Sequence, residues 1–146
     1  VSAVQELDLA LSYDPQNFSI LVQKGVVYLA LGEKILAEEA FLAARMFAPH
    51  EEQYYLEKAM NEAMINKFDQ AELDIQALLE INPESAEAYM ILGQIYEQQG
   101  DASKAIAQYE VASAFADQQQ KTELIATIRM RMAMLMQTGF MPTLAP

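Results

Sequence analysis

Three prolines set the frame for everything else in this chain. Pro15, Pro49 and Pro83 stand 34 residues apart, and each closes an apolar, periodic stretch. A fixed period of this size marks stacked supersecondary units, none of which can bury its apolar face alone. Other residues keep the same register. Ala3, Ala37, Ala71 and Ala105 form one row, Leu7, Phe41, Ile75 and Tyr109 a second, and Gly25, Ala59 and Gly93 a third.

Each unit reads as a helix pair. In SAEAYMILGQIYEQQG, Tyr89, Leu92, Gly93 and Tyr96 recur at three- and four-residue steps and share one helix face, which Gly100 ends. In DASKAIAQYEVASAFA, Ala105, Ile106, Tyr109, Ala112 and Ala116 repeat that spacing. Gly93 and Ala105 are small where bulk is expected, which lets two helices approach to about 8 Å rather than about 10 Å. Proline is expected at the opening of the next helix, where its missing N–H costs nothing.

The resulting map has residues 1–13 as the second helix of a pair whose first helix is missing. Pairs at 18–31 with 34–48, 52–65 with 68–81, and 85–98 with 102–117 follow, then a closing helix at 120–138. Residues 1–138 are expected to form a single repeat domain: a half repeat 1–17, repeats 18–51, 52–85 and 86–119, and the closing helix. Residues 139–146, GFMPTLAP, are a tail. An orphan helix at the start leaves a face open, so either further repeats upstream or self-association through that end is expected.

These residues resemble the tetratricopeptide repeat family, whose pattern is a large residue, Leu-Gly and Tyr on the first helix, then Ala, an aromatic and Pro on the second. Residues 86–119 match through Tyr89, Leu92, Gly93, Tyr96, Ala105 and Tyr109, with Asp117 in place of the final Pro. Residues 18–51 keep Leu21, Gly25, Tyr28, Ala37, Phe41 and Pro49, with Lys24 in place of the Leu. Residues 52–85 keep Tyr55, Ala59, Ala71 and Pro83, while Lys58 and Glu62 break the pattern. The resemblance covers about residues 1–119. It implies an all-α fold: a right-handed superhelical stack of antiparallel helix pairs, an α-solenoid, here with a C-terminal closing helix.

Composition narrows the chemistry. The chain has 146 residues, 53% of them hydrophobic, with 5 Gly and 5 Pro, so it is globular and regular. It has no Cys, which excludes disulfides, thiolate metal sites and a Cys nucleophile. The net charge of −12 repels phosphate backbones and anionic lipid, so neither nucleic acid nor a membrane surface is an expected partner. No apolar run approaches the roughly 18–20 residues of a membrane span. The start, VSAVQELDLA, has neither Met nor a signal segment and reads as cut from something longer. That leaves the compartment open between cytoplasmic and, with an upstream signal or anchor removed, periplasmic.

A catalytic constellation is not legible. The single His50 follows Pro49 at a repeat boundary and reads as solvated, as do the pairs Glu38-Glu39 and Glu51-Glu52, which diverge on a helix. There is no phosphate loop and no ligand spacing for a metal. The chain is therefore not expected to be an enzyme, and neither a cofactor nor a metal is called for. Binding remains. The resemblance implies that first helices line a concave groove, which places Val22, Val26, Leu29, Leu56, Met60, Met64, Met90, Gln94 and Glu97 along it. Methionine adapts to varied apolar partners. The expected ligand is an amphipathic or apolar segment of a partner protein with a basic end toward Glu87 and Glu97. Packing on neighbouring helices is the other use of the same positions. The resemblance also assigns positions to a clamp of Lys, Arg and Asn for a C-terminal carboxylate, but they hold Val22, Val26, Glu57, Glu87 and Ile91, so no such clamp is expected. The function expected is an interaction scaffold serving as adaptor, assembly factor or chaperone, for instance in secretion. The alternative is a module that self-assembles through its terminal helices.

The run IRMRMAMLMQTGFM, residues 128–141, invites a metal-box reading. The period places it on a first-type helix, where alternate residues point to opposite sides and do not converge. It reads instead as a two-sided apolar helix carrying Leu124, Ile128, Met132, Leu135 and Met136 as a surface for self-association or for the tail. The second side is open to the tail residues Phe140, Met141 and Leu144, to a second copy or other protein, or to solvent.

Overall fold

The structure, a computed structural model, describes residues 2–138. Among these residues there are eight helices and no strand: α1 (Ala3–Tyr13), α2 (Phe18–Leu31), α3 (Lys34–Phe47), α4 (Glu51–Met64), α5 (Phe68–Ile81), α6 (Ala86–Gln98), α7 (Ala102–Gln118) and α8 (Thr122–Thr138). This is the expected all-α series of helix pairs ended by a lone helix. Each boundary falls within about two residues of the position that the 34-residue period assigns to it. The tail proposed to cover α8, with Phe140, Met141 and Leu144, lies outside the described residues.

Local signals start and stop these helices. Ser2 and Gln5 form a capping box on α1. Asn17, Ser85 and Asp101 each accept from the backbone N–H three residues on, which satisfies a donor that the helix leaves orphaned. Within pairs, the chain turns through Gly32, Asn66 and Gly100, all left-handed, with φ of 81°, 60° and 79°. These three are a further row of the 34-residue period, concealed in the sequence because Asn, the next most tolerant residue, replaces Gly.

The prolines do not open helices. Pro15, Pro49 and Pro83 lie in the turns before α2, α4 and α6. Their work is to end the helix behind them, since proline disfavours a helical predecessor and cannot continue the ladder. The fourth turn tests this. Asp117 stands where a Pro is expected, and α7 runs on for 17 residues where α3 and α5 have 14. The chain then turns at Gln120, in the left-handed region.

Packing divides the chain into two compact units, one through Ile81 and one from Asn82. In the first, α2 packs on α1, α3 and α4, and α4 on α5. Leu21, Val22, Ala44 and Tyr54 form a core there, with Leu11, Phe18 and Tyr55 against it. In the second, α7 lies between α6 and α8. Its core is Ala86, Ala105, Tyr109, Ala112, Ala116 and Ile128.

The small-residue row acts as anticipated. A Cβ added at Gly25 would stand 2.5 Å from the Phe41 ring, and one at Gly93 would enter the Tyr109 ring. In the same slots of the middle pair, Ala59 and Ile75 are both fully buried. A first-type helix thus gives up side-chain volume where the second-type helix inserts it.

Candidate functional site

The first unit holds a cleft of about 650 Å³ where the start of α1, the later half of α2 and the end of α4 come together. Leu7, Val26, Val27, Met64 and Ile65 make most of its wall, with Ala3, Glu6, Gln23 and Asn61 completing it. Met64 is 77% exposed at the end of α4, beside the nearly buried Val26. Ser19 Oγ donates to Glu57 Oε1 at 3.0 Å and ties α2 to α4. Lys24 Nζ of α2 meets Asp8 of α1 at 2.6 Å. The wall is mostly apolar, and its one long, unbranched apolar side chain is a methionine. Such a surface receives apolar side chains and offers no nucleophile or paired base for chemistry.

The residues expected along a groove separate into distinct roles. Val22 is fully buried in the first unit's core, so a partner does not reach it. Val26 is buried but contributes to the cleft wall, and Leu29 and Leu56 are half-buried. Met60 and Met64 are exposed. In the second unit, Met90 packs on the core and Gln94 is half-buried. Glu97 accepts from the Tyr109 hydroxyl at 2.6 Å and from Arg131 at 3.2 Å, so it is occupied. Glu87 is held by Lys121 at 2.7 Å. These two acids are answered from within the chain, by cations 34 residues further on.

On α8, Ile128 is fully buried, and Leu124, Met132 and Leu135 pack against the core around α7. That side serves the second unit's own interior, which corrects the expectation of an association surface there. Only Met136 of that set is exposed. Met130 and Met134, four residues apart, share an exposed face, and Met136 is exposed on another side of the helix. The reason is the register: the face turned to α7 carries the bulk that α7, rich in Ala, lacks.

The middle pair contains a feature the pattern marked only as a departure. Glu62, in the slot that holds Tyr28 and Tyr96, is 1% exposed. Lys58 Nζ lies 3.2 Å from Glu62 and 2.6 Å from Asp74 of α5, and over the Phe41 ring at 4.7 Å. Burial pushes the Glu62 carboxyl up to about 8, and hydrogen bonding to Asp74 and the Asp74 charge push the same way against Lys58. Glu62 Oε2 accepts from no donor. A proton on Glu62 supplies a donor toward Asp74. Burial alone would lower the Lys58 ammonium, but its hydrogen bond to Asp74 and the surrounding acids outweigh that and hold it above its ordinary value. Burial likewise raises the neighbouring Tyr54 hydroxyl. The cluster is enclosed within the helix pair rather than presented in the cleft.

His50 is exposed as the residue preceding α4, and its side chain makes no capping bond. Among the described residues no group of three or more His, Asp or Glu gathers as a metal site, and no described helix is long and apolar enough to cross a membrane.

Residues 56–119, from within α4 through the end of α7, match the family model of the tetratricopeptide repeat. Two crystal structures of MamA are similar to this chain. Each is 19% identical, with TM-scores of 0.47 and 0.46, covering 94% and 99% of this chain and 88% and 87% of their own. None of the curated proteins matches the sequence.

Proposed function

We propose that this chain, which is tetratricopeptide repeat over residues 56–119, holds an apolar or amphipathic helical segment of a partner protein in the cleft of its first unit. The repeat itself makes the chain a protein-interaction scaffold. What supports the finer reading is Met64: a long apolar side chain left 77% exposed at the mouth of a cleft otherwise walled by Leu7, Val26, Val27 and Ile65. An exposed, adaptable methionine over an apolar wall is what a docked helix would cover. Glu6 at the rim favours a cationic residue on that helix, and the net charge of −12 favours a basic partner in general. The role that follows is adaptor, assembly factor or chaperone within a larger complex.

Affinity capture from a native extract tests this, with Met64→Glu against a control, Met46→Glu, on α3 outside the cleft. Both methionines are well exposed, so neither change should unfold the chain. Loss of the captured protein with Met64→Glu alone is expected. Equal capture by both variants would remove the cleft from the binding surface.

A further inference from the structure

We infer that the outer face of α3 is a second docking surface, and that its occupant is a helix of a partner protein with an apolar row and basic residues on both flanks.

The first support comes from the period. Ile35, Leu42 and Met46 stand at i, i+7 and i+11 and form one row along α3. Ala37, Ala40 and Ala44 on the opposite side are buried, so the row points away from the interior. Its side chains are 74%, 64% and 73% exposed. The same slots on α5 hold Asp69, Gln76 and Glu80, and on α7 Ser103, Glu110 and Ala114, all exposed. Two second-type helices thus fold with these slots polar or small, and packing within the pair does not ask for bulk there. Single exposed apolar residues are ordinary, whereas large ones gathered at helical spacing mark a surface that a partner covers.

The second support is charge. Glu38 and Glu39 lie one on each side of the row, both exposed, and among the described residues neither pairs with a cation. Of the cations on α3, Arg45 is taken up by Glu51, which leaves Lys34 at the start of the helix. Beside the row, a recess of about 220 Å³ is lined by Leu36, Glu39 and Ala43 and, from α2, by Leu21, Lys24 and Tyr28. Lys24 is answered by Asp8 at 2.6 Å, so the Glu39 carboxylate is left for a cation from outside. The apolar wall suits the stem of a Lys or Arg side chain, and Glu39 its head.

These features choose the occupant. A second copy brings the same net charge of −12. Three side chains on one helix also fall well short of the roughly 800 Å² per partner that a stable dimer buries. A single basic, amphipathic helix needs no more than this row. None of its residues lines the cleft of the first unit, so Met46→Glu remains a control for the cleft.

Fluorescence anisotropy tests this with a labelled peptide of about 18 residues, Leu at three- and four-residue steps and Lys elsewhere. A counterpart has Glu for every Lys. Each full chain carries Met64→Glu, so that the cleft does not report. The Lys peptide should bind and the Glu counterpart should not. Ile35→Asp with Leu42→Gln and Met46→Glu gives α3 the row of α5, at exposed positions. Affinity for the Lys peptide should then fall at least about tenfold, although two acids have been added. Leu42→Gln alone should give a smaller loss in the same direction. Glu38→Gln with Glu39→Gln should weaken binding a few-fold, most at low salt. Affinity that the row exchange leaves unchanged overturns the proposal, as does equal binding of the Glu counterpart or no binding of the Lys peptide. Concentration-dependent sedimentation of the unsubstituted chain that the row exchange abolishes also overturns it, since a second copy would then be the occupant. The cleft reading is untouched by each of these results, because it rests on capture by the Met64→Glu variant.

Discussion

The pair α4–α5 and the pair α6–α7 are built on the same slots with opposite chemistry. Where α6 has Leu92 and Tyr96, α4 has Lys58 and Glu62, and where α7 has Gln108, α5 has Asp74. In α6–α7 the enclosed aromatic Tyr109 closes its one polar atom by donating to Glu97. In α4–α5 a Lys and two carboxyls share the interior, and one carboxyl oxygen is left without a donor. The repeat therefore fixes where a side chain stands, not what it must be. A charged cluster is tolerated when Lys58 bridges both acids, but ion pairs taken out of water are rarely better than apolar packing of equal volume.

The comparison can be broken at several points. The largest effect is expected from Lys58→Leu, the residue of the better-matched pair. It strands Glu62 and Asp74 without their cation and should destabilise the first unit by about 3–5 kcal/mol, read as a lower urea midpoint. Replacing all three residues together, Lys58→Leu with Glu62→Tyr and Asp74→Gln, transplants the chemistry of α6–α7. The same measurement should then show stabilisation of roughly 1–4 kcal/mol. A net loss would mean that the slots are not equivalent. In the other pair, Gly93→Ala drives a methyl group against the Tyr109 ring and should cost about 1–3 kcal/mol in thermal unfolding. At the turns, Asn66→Gly brings the middle pair into line with Gly32 and Gly100. Because Asn66 has a φ of 60°, the change should raise the melting temperature by the equivalent of less than about 1 kcal/mol.

Much of the fold was legible because its signals are local and repeated. Proline rows, small-residue rows and three- and four-residue apolar steps place every helix without any knowledge of packing. The candidate site was less so. A first-type helix is covered on several sides, so a position on its inward face is buried or open according to neighbours the period does not reveal. Val22 fell to the core side of that division, Val26 to the cleft wall, and Met64, at a helix end, to the open side. The pairs Glu87–Lys121 and Glu97–Arg131 were within reach of the same ruler, since each spans 34 residues. Applied to charges as well as to apolar residues, it would have shown that these acids are already partnered. On α8 the apolar residues were recognised, but the choice of side depends on the Ala-rich surface of α7. For Glu62, the sequence shows a broken slot, while its enclosure with Lys58 and Asp74 needs α4 and α5 packed face to face.

The difference between the two pairs is tested most directly by amide hydrogen exchange as a function of pH. The ordinary value for Glu62 is 4.5 and the folded one about 8, so folding takes up a proton between them. The stability this group contributes is whole below the lower value and is lost as pH rises through the upper one. Between about pH 6 and pH 9, corrected for intrinsic exchange rates, protection in α4 and α5 should therefore fall more than in α6 and α7, and Glu62→Gln should abolish the excess loss. Equal loss in both pairs, or a wild-type profile that Glu62→Gln leaves unchanged, would contradict the account of a proton-dependent middle pair.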